Sequence, residues 1–142
     1  MTGTQRSSTY SIAQVSARFG IPASTLRYYE REGLLSDVPR DDNGQRRYTD
    51  AHLARIESIQ CFKESGLPIA KIREFYTYDD DLEHHVDDII ELVEDHEREL
   101  RQTIAAMCRE LRHVQQKVRF YHGIKDAEEQ GRPWPSWEEF TD

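Results

Sequence analysis

Residues 11–35, SIAQVSARFGIPASTLRYYEREGLL, constrain the fold most, because two short amphipathic stretches meet there at a glycine and the second carries clustered Arg and Tyr. Ser11 is placed to cap a helix whose apolar stripe is Ile12, Val15 and Phe19. Gly20 stops that helix, Ile21-Pro22 makes an extended step, and a second helix runs to about Glu32 before Gly33. At about 100° per residue, Leu26 faces one way while Ser24, Tyr28 and Arg31 share the opposite side, with Arg27 at their edge. The pattern predicts a helix-turn-helix. Hydroxyl, phenol and guanidinium groups suit a helix laid in a major groove, although the same side chains also occur on ordinary solvated faces.

The segment that follows separates those readings. In SDVPRDDNGQRRYTD the Asn43-Gly44 pair favours a tight hairpin turn, with Arg46, Arg47 and Tyr48 on the return strand. A small basic hairpin beside a helix pair reads as a wing. A plain connecting hairpin accounts for the turn but not for paired arginines on one strand.

A second helical pair comes next. Asp50 is placed to cap a helix bearing Leu53, Ile56, Ile59 and Phe62, and Gly66 ends it. Leu67, Ile69, Ile72 and Phe75 read as core, while Lys71 and Arg73 either reach flanking phosphate or are simple surface charges. TYDDDLEHH is a polar hinge. Beyond it apolar positions step by threes and fours through Leu82, Val86, Ile89, Val93, His96, Leu100 and Ile104, then Met107, Leu111, Val114, Val118 and Tyr121. This is a coiled-coil seam with a stutter between Leu100 and Ile104. Some 40 residues of helix extend about 60 Å and need a partner for the seam. A fold-back hairpin would need a break, and residues 82–122 contain neither Gly nor Pro. A second copy is the simplest partner, and a two-fold dimer presents two recognition helices to a pseudo-palindromic duplex.

The ordered run TLRYYE, GLL, NGQRRYT and SGLPIAKI resembles the MerR family of bacterial transcriptional regulators over residues 10 to about 76, and in architecture to about residue 122. The resemblance implies a mainly α fold: a winged helix-turn-helix DNA-binding domain with a small β-hairpin wing, then a long antiparallel coiled-coil dimerisation helix. It implies DNA contacts at Arg27, Tyr28, Arg46, Arg47 and Tyr48; Ser11 and Thr25 fall where helix starts commonly meet phosphates. It also implies promoter distortion that lets RNA polymerase use otherwise misphased elements. One departure is the acidic pair Asp41-Asp42 in the wing turn, where the family is frequently basic and glycine-rich. The expected segments are a flexible N-terminus (1–9), the DNA-binding domain (10–78), the dimerisation helix (79–122) and a short tail (123–142).

Net charge is −8, which at first argues against a polyanionic partner. Residues 1–76, however, hold 11 Lys/Arg against 9 Asp/Glu, and residues 77–142 hold 8 against 18. The acid belongs to the distal part, and salt screens it beyond about 8–10 Å.

The two cysteines, Cys61 and Cys108, form neither a disulfide framework nor a CxxC pair and read as reduced thiols. Metal-sensing members of the family place cysteines near the end of the long helix and beyond, whereas residues 109–142 hold none, and no two histidines stand four apart. No metal or other cofactor is expected. Cys61, in IQCFK, matches the position at which electrophile-sensing members carry a cysteine; the alternative is a small buried hydrophobe. Cys108 reads as structural. Trp134 and Trp137 either line a ligand pocket or cover the tip of the helix.

No nucleophile constellation or phosphate-cradling loop suggests an enzyme, and no membrane-length apolar run appears, so a cytoplasmic protein is expected. The sequence thus points to a homodimeric, sequence-specific regulator of transcription on double-stranded DNA, with Cys61 as effector site. A coiled-coil protein-interaction module, or a regulator answering a non-covalent ligand, is the alternative.

Overall fold

A computed structural model describes residues 8–141. Residues 1–7, most of the expected flexible N-terminus, lie outside the described residues. The chain divides into two compact units, residues 1–96 and 97–142.

In the first unit, strand β1 (Thr9–Tyr10) leads into α1 (Ile12–Phe19) and α2 (Ala23–Arg31). Ser11 begins α1 with a reciprocal capping box: its Oγ accepts from the Gln14 amide while the Gln14 side chain accepts from the Ser11 amide. Gly20 ends α1 at φ 66°, a left-handed conformation that a side chain would oppose. Pro22 precedes α2, its fixed φ suiting a helix start.

Strand β2 (Tyr48–Thr49) pairs antiparallel with β1, placing Thr9 opposite Thr49 and Tyr10 opposite Tyr48. The wing between α2 and β2 closes through an Arg40–Arg46 bridge, and its tight turn is Asp41–Gly44, the Gly44 amide donating to the Asp41 carbonyl at 2.9 Å with Gly44 at φ 75°, so the turn is centred one residue before the expected Asn43-Gly44 pair. Asp41 supplies its frame: the carboxylate accepts from the amides of Asn43 and Gln45 at 2.9 and 3.0 Å. The acidic residue that departs from the family pattern is therefore the residue that shapes the turn.

Helix α3 (Asp50–Glu64) is capped by Thr49, not by Asp50 as expected; the Thr49 hydroxyl accepts from the His52 amide, and Asp50 is the first helical residue. Its carboxylate accepts from the Tyr10 hydroxyl at 2.9 Å instead. Helix α4 (Ile69–Asp79) follows Pro68. Val15, Leu26, Leu53, Ile56, Ile59 and Ile72 are buried together with Tyr29 and Tyr48, so all four helices and β2 share one core.

Helix α5 spans Leu82–Glu129, with His85 non-helical at φ −134°. Its first turns show two apolar faces. Leu92 joins the core, and His96 reaches α3, with Nε2 2.8 Å from the Ser65 hydroxyl and its ring edge-on to Phe62. Ile90 and Val93 instead remain 44% and 36% exposed. The expected placement of Ile89 and His96 on the seam is thereby corrected: Ile89 is partly buried, and Ile90 stands open in its place. With Ile90 and Glu97 substituted, the spacing from Val86 to Tyr121 alternates four and three without interruption, and the stutter disappears.

The second unit keeps Ile104, Met107, Leu111, Val114, Val118 and Tyr121 more than half exposed along one stripe. The helix continues past Gly123 to Glu129, beyond the boundary expected at 122, and Gly131 at φ 64° ends it. The chain then folds back on it: Trp137 and Phe140 of a short 3-10 turn (Trp137–Phe140) meet the Phe120 ring at centroid distances of 5.5 and 5.8 Å. Trp137 also carries the Lys117 ammonium 4.3 Å from its centroid.

Candidate nucleic-acid interface

The outer face of α2 is built as its periodicity requires. Leu26 and Tyr29 turn into the core, which leaves Ser24, Arg27 and Arg31 exposed and Tyr28 half-buried. Arg31 lies 5.9 Å from the Tyr28 ring centroid, a stacking contact that steadies both groups. Thr25 is partly buried beside them in the first turn. The far end of α2 is clamped from α4. Arg73 donates through Nε to the Glu32 carbonyl at 3.0 Å and through Nη2 to its carboxylate, so Arg73 serves the fold and not a phosphate.

The wing is held to this helix by charge. Arg46 donates through Nε to the Glu30 carboxylate of α2, with both side chains about four-fifths shielded from solvent. Arg47 donates to the Thr9 hydroxyl and carbonyl at 3.1–3.2 Å, tying the wing base to β1. Arg40, unremarked by motif reading, stands across the bridge from Arg46, is exposed, and donates to the Gly44 carbonyl at 2.9 Å. Its signal lay in its placement: four residues before Gly44, it mirrors Arg46 about the turn.

Tyr48 departs from expectation. Its side chain is 0% exposed and its hydroxyl has no hydrogen-bond partner among the described residues. Burial pushes the phenol up to about 12, and the Glu30 charge adds to that, while Arg46, Arg27 and Arg40 oppose it. Tyr48 is therefore a core pillar, not a solvent-facing contact. The reason is its register: opposite Tyr10 on a two-stranded ribbon, its side chain falls on the face that covers the helices.

The remaining expected residues are dispersed. Ser11 spends its hydroxyl on the α1 cap. Lys71 is exposed at the start of α4 and pairs with Glu74 at 3.1 Å. Glu74 is held below the usual carboxylate range by the Tyr78 hydroxyl and then by Lys71. Cys61 is exposed on α3, which removes the buried-hydrophobe reading; Cys108, expected to be structural, is exposed on α5. Trp137 packs on its own helix while Trp134 is 62% exposed. Among the described residues no group of three or more His, Cys, Asp and Glu is disposed to hold a metal ion, and no helix is long and apolar enough to cross a membrane.

Two helices with an exposed Arg/Tyr face, flanked by a basic wing, define a winged helix-turn-helix DNA-binding protein. Family comparison agrees: residues 10–79 match the MerR HTH family regulatory protein model, and residues 53–116 match the MerR DNA-binding model. An HTH-type transcriptional regulator of Haemophilus influenzae is 33% identical over 117 residues, covering 82% of this chain and 87% of the relative. The Bacillus subtilis HTH-type transcriptional regulator AdhR is 46% identical over 67 residues, covering 47% of this chain and 48% of AdhR. Among solved structures, HiNmlR, a MerR family regulator lacking the sensor domain and bound to promoter DNA, superposes with a TM-score of 0.76 at 32% identity, covering 88% and 97% of the two chains. A MerR family regulator from Listeria monocytogenes gives 0.78 at 27% identity, covering 85% and 92%. The chain belongs to the MerR family and is a DNA-binding transcriptional regulator.

Proposed function

We propose that this regulator binds a pseudo-palindromic promoter operator as a homodimer and controls transcription there by distorting the duplex. The observation that carries the reading is the exposure of Arg27 and Arg31 on the outer face of α2 together with the exposed Arg40 of a wing that Arg46 ties to α2 through Glu30. Ser24 and Tyr28 extend that face along α2. Arg27 and Arg31 reach base edges or phosphates, and the wing grips the adjacent backbone. Ser11, Thr25, Arg47 and Lys71 supply flanking contacts by amide, hydroxyl or charge, and Tyr48 holds the wing from beneath.

Dimerisation is supported by the stripe from Ile104 to Tyr121, more than half exposed in the single chain. Such a surface is covered by an apolar partner in water. Two half-sites engaged at once supply the roughly 1–10 kcal/mol that bending and untwisting a promoter spacer costs, and RNA polymerase reads the altered spacing. Cys61 is the effector site: an exposed thiol open to an electrophile such as an aldehyde. A cytoplasmic location goes with a promoter target.

Footprinting on DNA upstream of its own and neighbouring genes, titrated with salt, tests the operator reading. Two protected half-sites about one helical turn apart are expected, and protection of neither duplex at low ionic strength overturns it. Aldehyde-responsive reporter expression is expected to be lost in Cys61→Ser, and an undiminished response removes Cys61 from the mechanism.

A further inference from the structure

The carboxyl end of α2 is held by two guanidinium groups that α2 does not carry. Arg73 of α4 takes the Glu32 carbonyl and carboxylate, and Arg55 of α3 takes the Leu34 carbonyl through Nε, two residues further on. The last carbonyls of a helix have no partner within it, so the groups that satisfy them help to fix where that end lies.

Arg55 differs from Arg73 in what stands behind it. Its guanidinium carbon lies 4.0 Å from the centroid of the Tyr76 ring on α4, and the Tyr76 hydroxyl donates back to the Arg55 carbonyl at 3.2 Å. Its two remaining nitrogens donate to the Asp80 carboxylate, Nη1 at 2.9 Å and Nη2 at 3.4 Å. Asp80 is the residue that ends α4, two before α5 begins. One side chain thus joins the end of the recognition helix, the ring of a buried tyrosine and the corner that leads into α5. A guanidinium is a rigid planar fork, so a carboxylate that holds its Nη edge also aims its Nε.

The corner itself is open. Asp79, Asp80 and Asp81 are exposed, and the ring of His85, whose backbone is non-helical, turns to Asp81, Asp88 and Tyr78. Helix α5 meets the core only further on, at Leu92 and His96.

Resting on the reading of operator binding with duplex distortion, we propose that Arg55 is a positioning residue for DNA recognition. Through Asp80 it carries the placement of the α4 to α5 corner to the carboxyl end of α2, and so sets the angle at which Arg27 and Arg31 are presented. Without the Asp80 charge the guanidinium keeps its ring contact and loses its aim, while Leu26 and Tyr29 still anchor α2 in the core. A single half-site is then still bound, because its contacts can follow a helix that has some slack. Bending and untwisting the spacer between two half-sites needs a helix that does not yield, so the distortion is what fails.

The test uses the full chain. Asp80→Asn keeps the size and removes the charge, and Arg55→Lys keeps the charge and removes the fork. The urea midpoint of Asp80→Asn is expected to match that of the unaltered protein, since an ion pair with one partner half exposed adds little stability. Amide exchange at Leu34 and Leu35, which donate to the Tyr29 carbonyl, is expected to quicken about tenfold while exchange in α1 is unchanged. On the duplex that footprinting defines, 2-aminopurine at the spacer centre reports unstacking. Both variants are expected to bind a half-site duplex as the unaltered protein does and to lose most of the fluorescence rise on the full duplex at saturating protein. Arg55→Lys/Asp80→Asn is expected to lose no more than either change alone, because the pair acts as one unit. Unchanged exchange at Leu34 and Leu35, or a full fluorescence rise in Asp80→Asn, overturns the positioning role and leaves operator binding standing. So does a half-site affinity that falls together with the urea midpoint, which is the mark of a merely structural residue. A full duplex bound by the unaltered protein with no fluorescence rise overturns the distortion reading, and the positioning role with it.

Discussion

Tyr48 illustrates how one side chain can be read as a contact and turn out to be a support. Its buried hydroxyl has no partner among the described residues, so the OH adds little to the fold at neutral pH. Tyr48→Phe is expected to keep stability within about 1 kcal/mol in urea titration and to keep operator affinity, whereas Tyr48→Ala costs about 3–5 kcal/mol. The pH dependence follows from Tyr48 and Tyr76, both pushed up to about 12 from 10, chiefly by burial. The fold prefers the neutral phenols, so their contribution is whole below pH 10. It is lost as pH rises from 10 to 12, because the unfolded chain ionises first. Urea midpoints should therefore fall across that window, and fall less in Tyr48→Phe. Arg27, by contrast, is exposed, and Arg27→Ala is expected to weaken operator binding by about 1–3 kcal/mol with stability unchanged, as read by gel shift and thermal melting.

At the scale of elements, α5 and the returning tail depend on one close approach. A Cβ at Gly123 would stand 2.9 Å from Phe140 Cζ and 3.3 Å from Pro135 Cγ. Gly123 thus lets the tail lie against the helix, at a cost in intrinsic helix propensity of about 1 kcal/mol. Gly123→Ala should stiffen the helix and lift the tail. The expected outcome is a red shift of tryptophan emission and faster proteolysis after residue 131, with helical ellipticity undiminished; an unshifted spectrum means that Phe140 yields without the tail leaving. The wing works in the same local manner. Asp41 frames its turn and Glu30 anchors Arg46, so Glu30→Gln is expected to loosen the wing and to lower operator affinity without touching DNA itself.

For the molecule as a whole, the acidic total is set against the proposed cationic face of α2 and the wing, and affinity should show it. If two copies together neutralise roughly 6–10 phosphates, raising salt from 50 to 200 mM lowers the binding constant about 10³–10⁵-fold. A slope near zero in fluorescence anisotropy would mean that the cationic face is not the contact. The sequence by itself determined what is local: the helix starts at Ser11 and Pro22, the left-handed stop at Gly20, the tight wing turn within one residue of Asn43-Gly44, and the α2 face of Ser24, Arg27 and Arg31. Each follows from spacing and backbone preference within a few residues. Tertiary structure alone decided which polar groups remain available. Arg73 is taken by Glu32 across 41 residues, Arg47 by Thr9 across 38, Tyr48 by the core, and the seam runs through Ile90 because Leu92 and His96 are committed to the domain. Those outcomes depend on partners distant in the chain, and a helical period read alone cannot tell which of two apolar faces packs first.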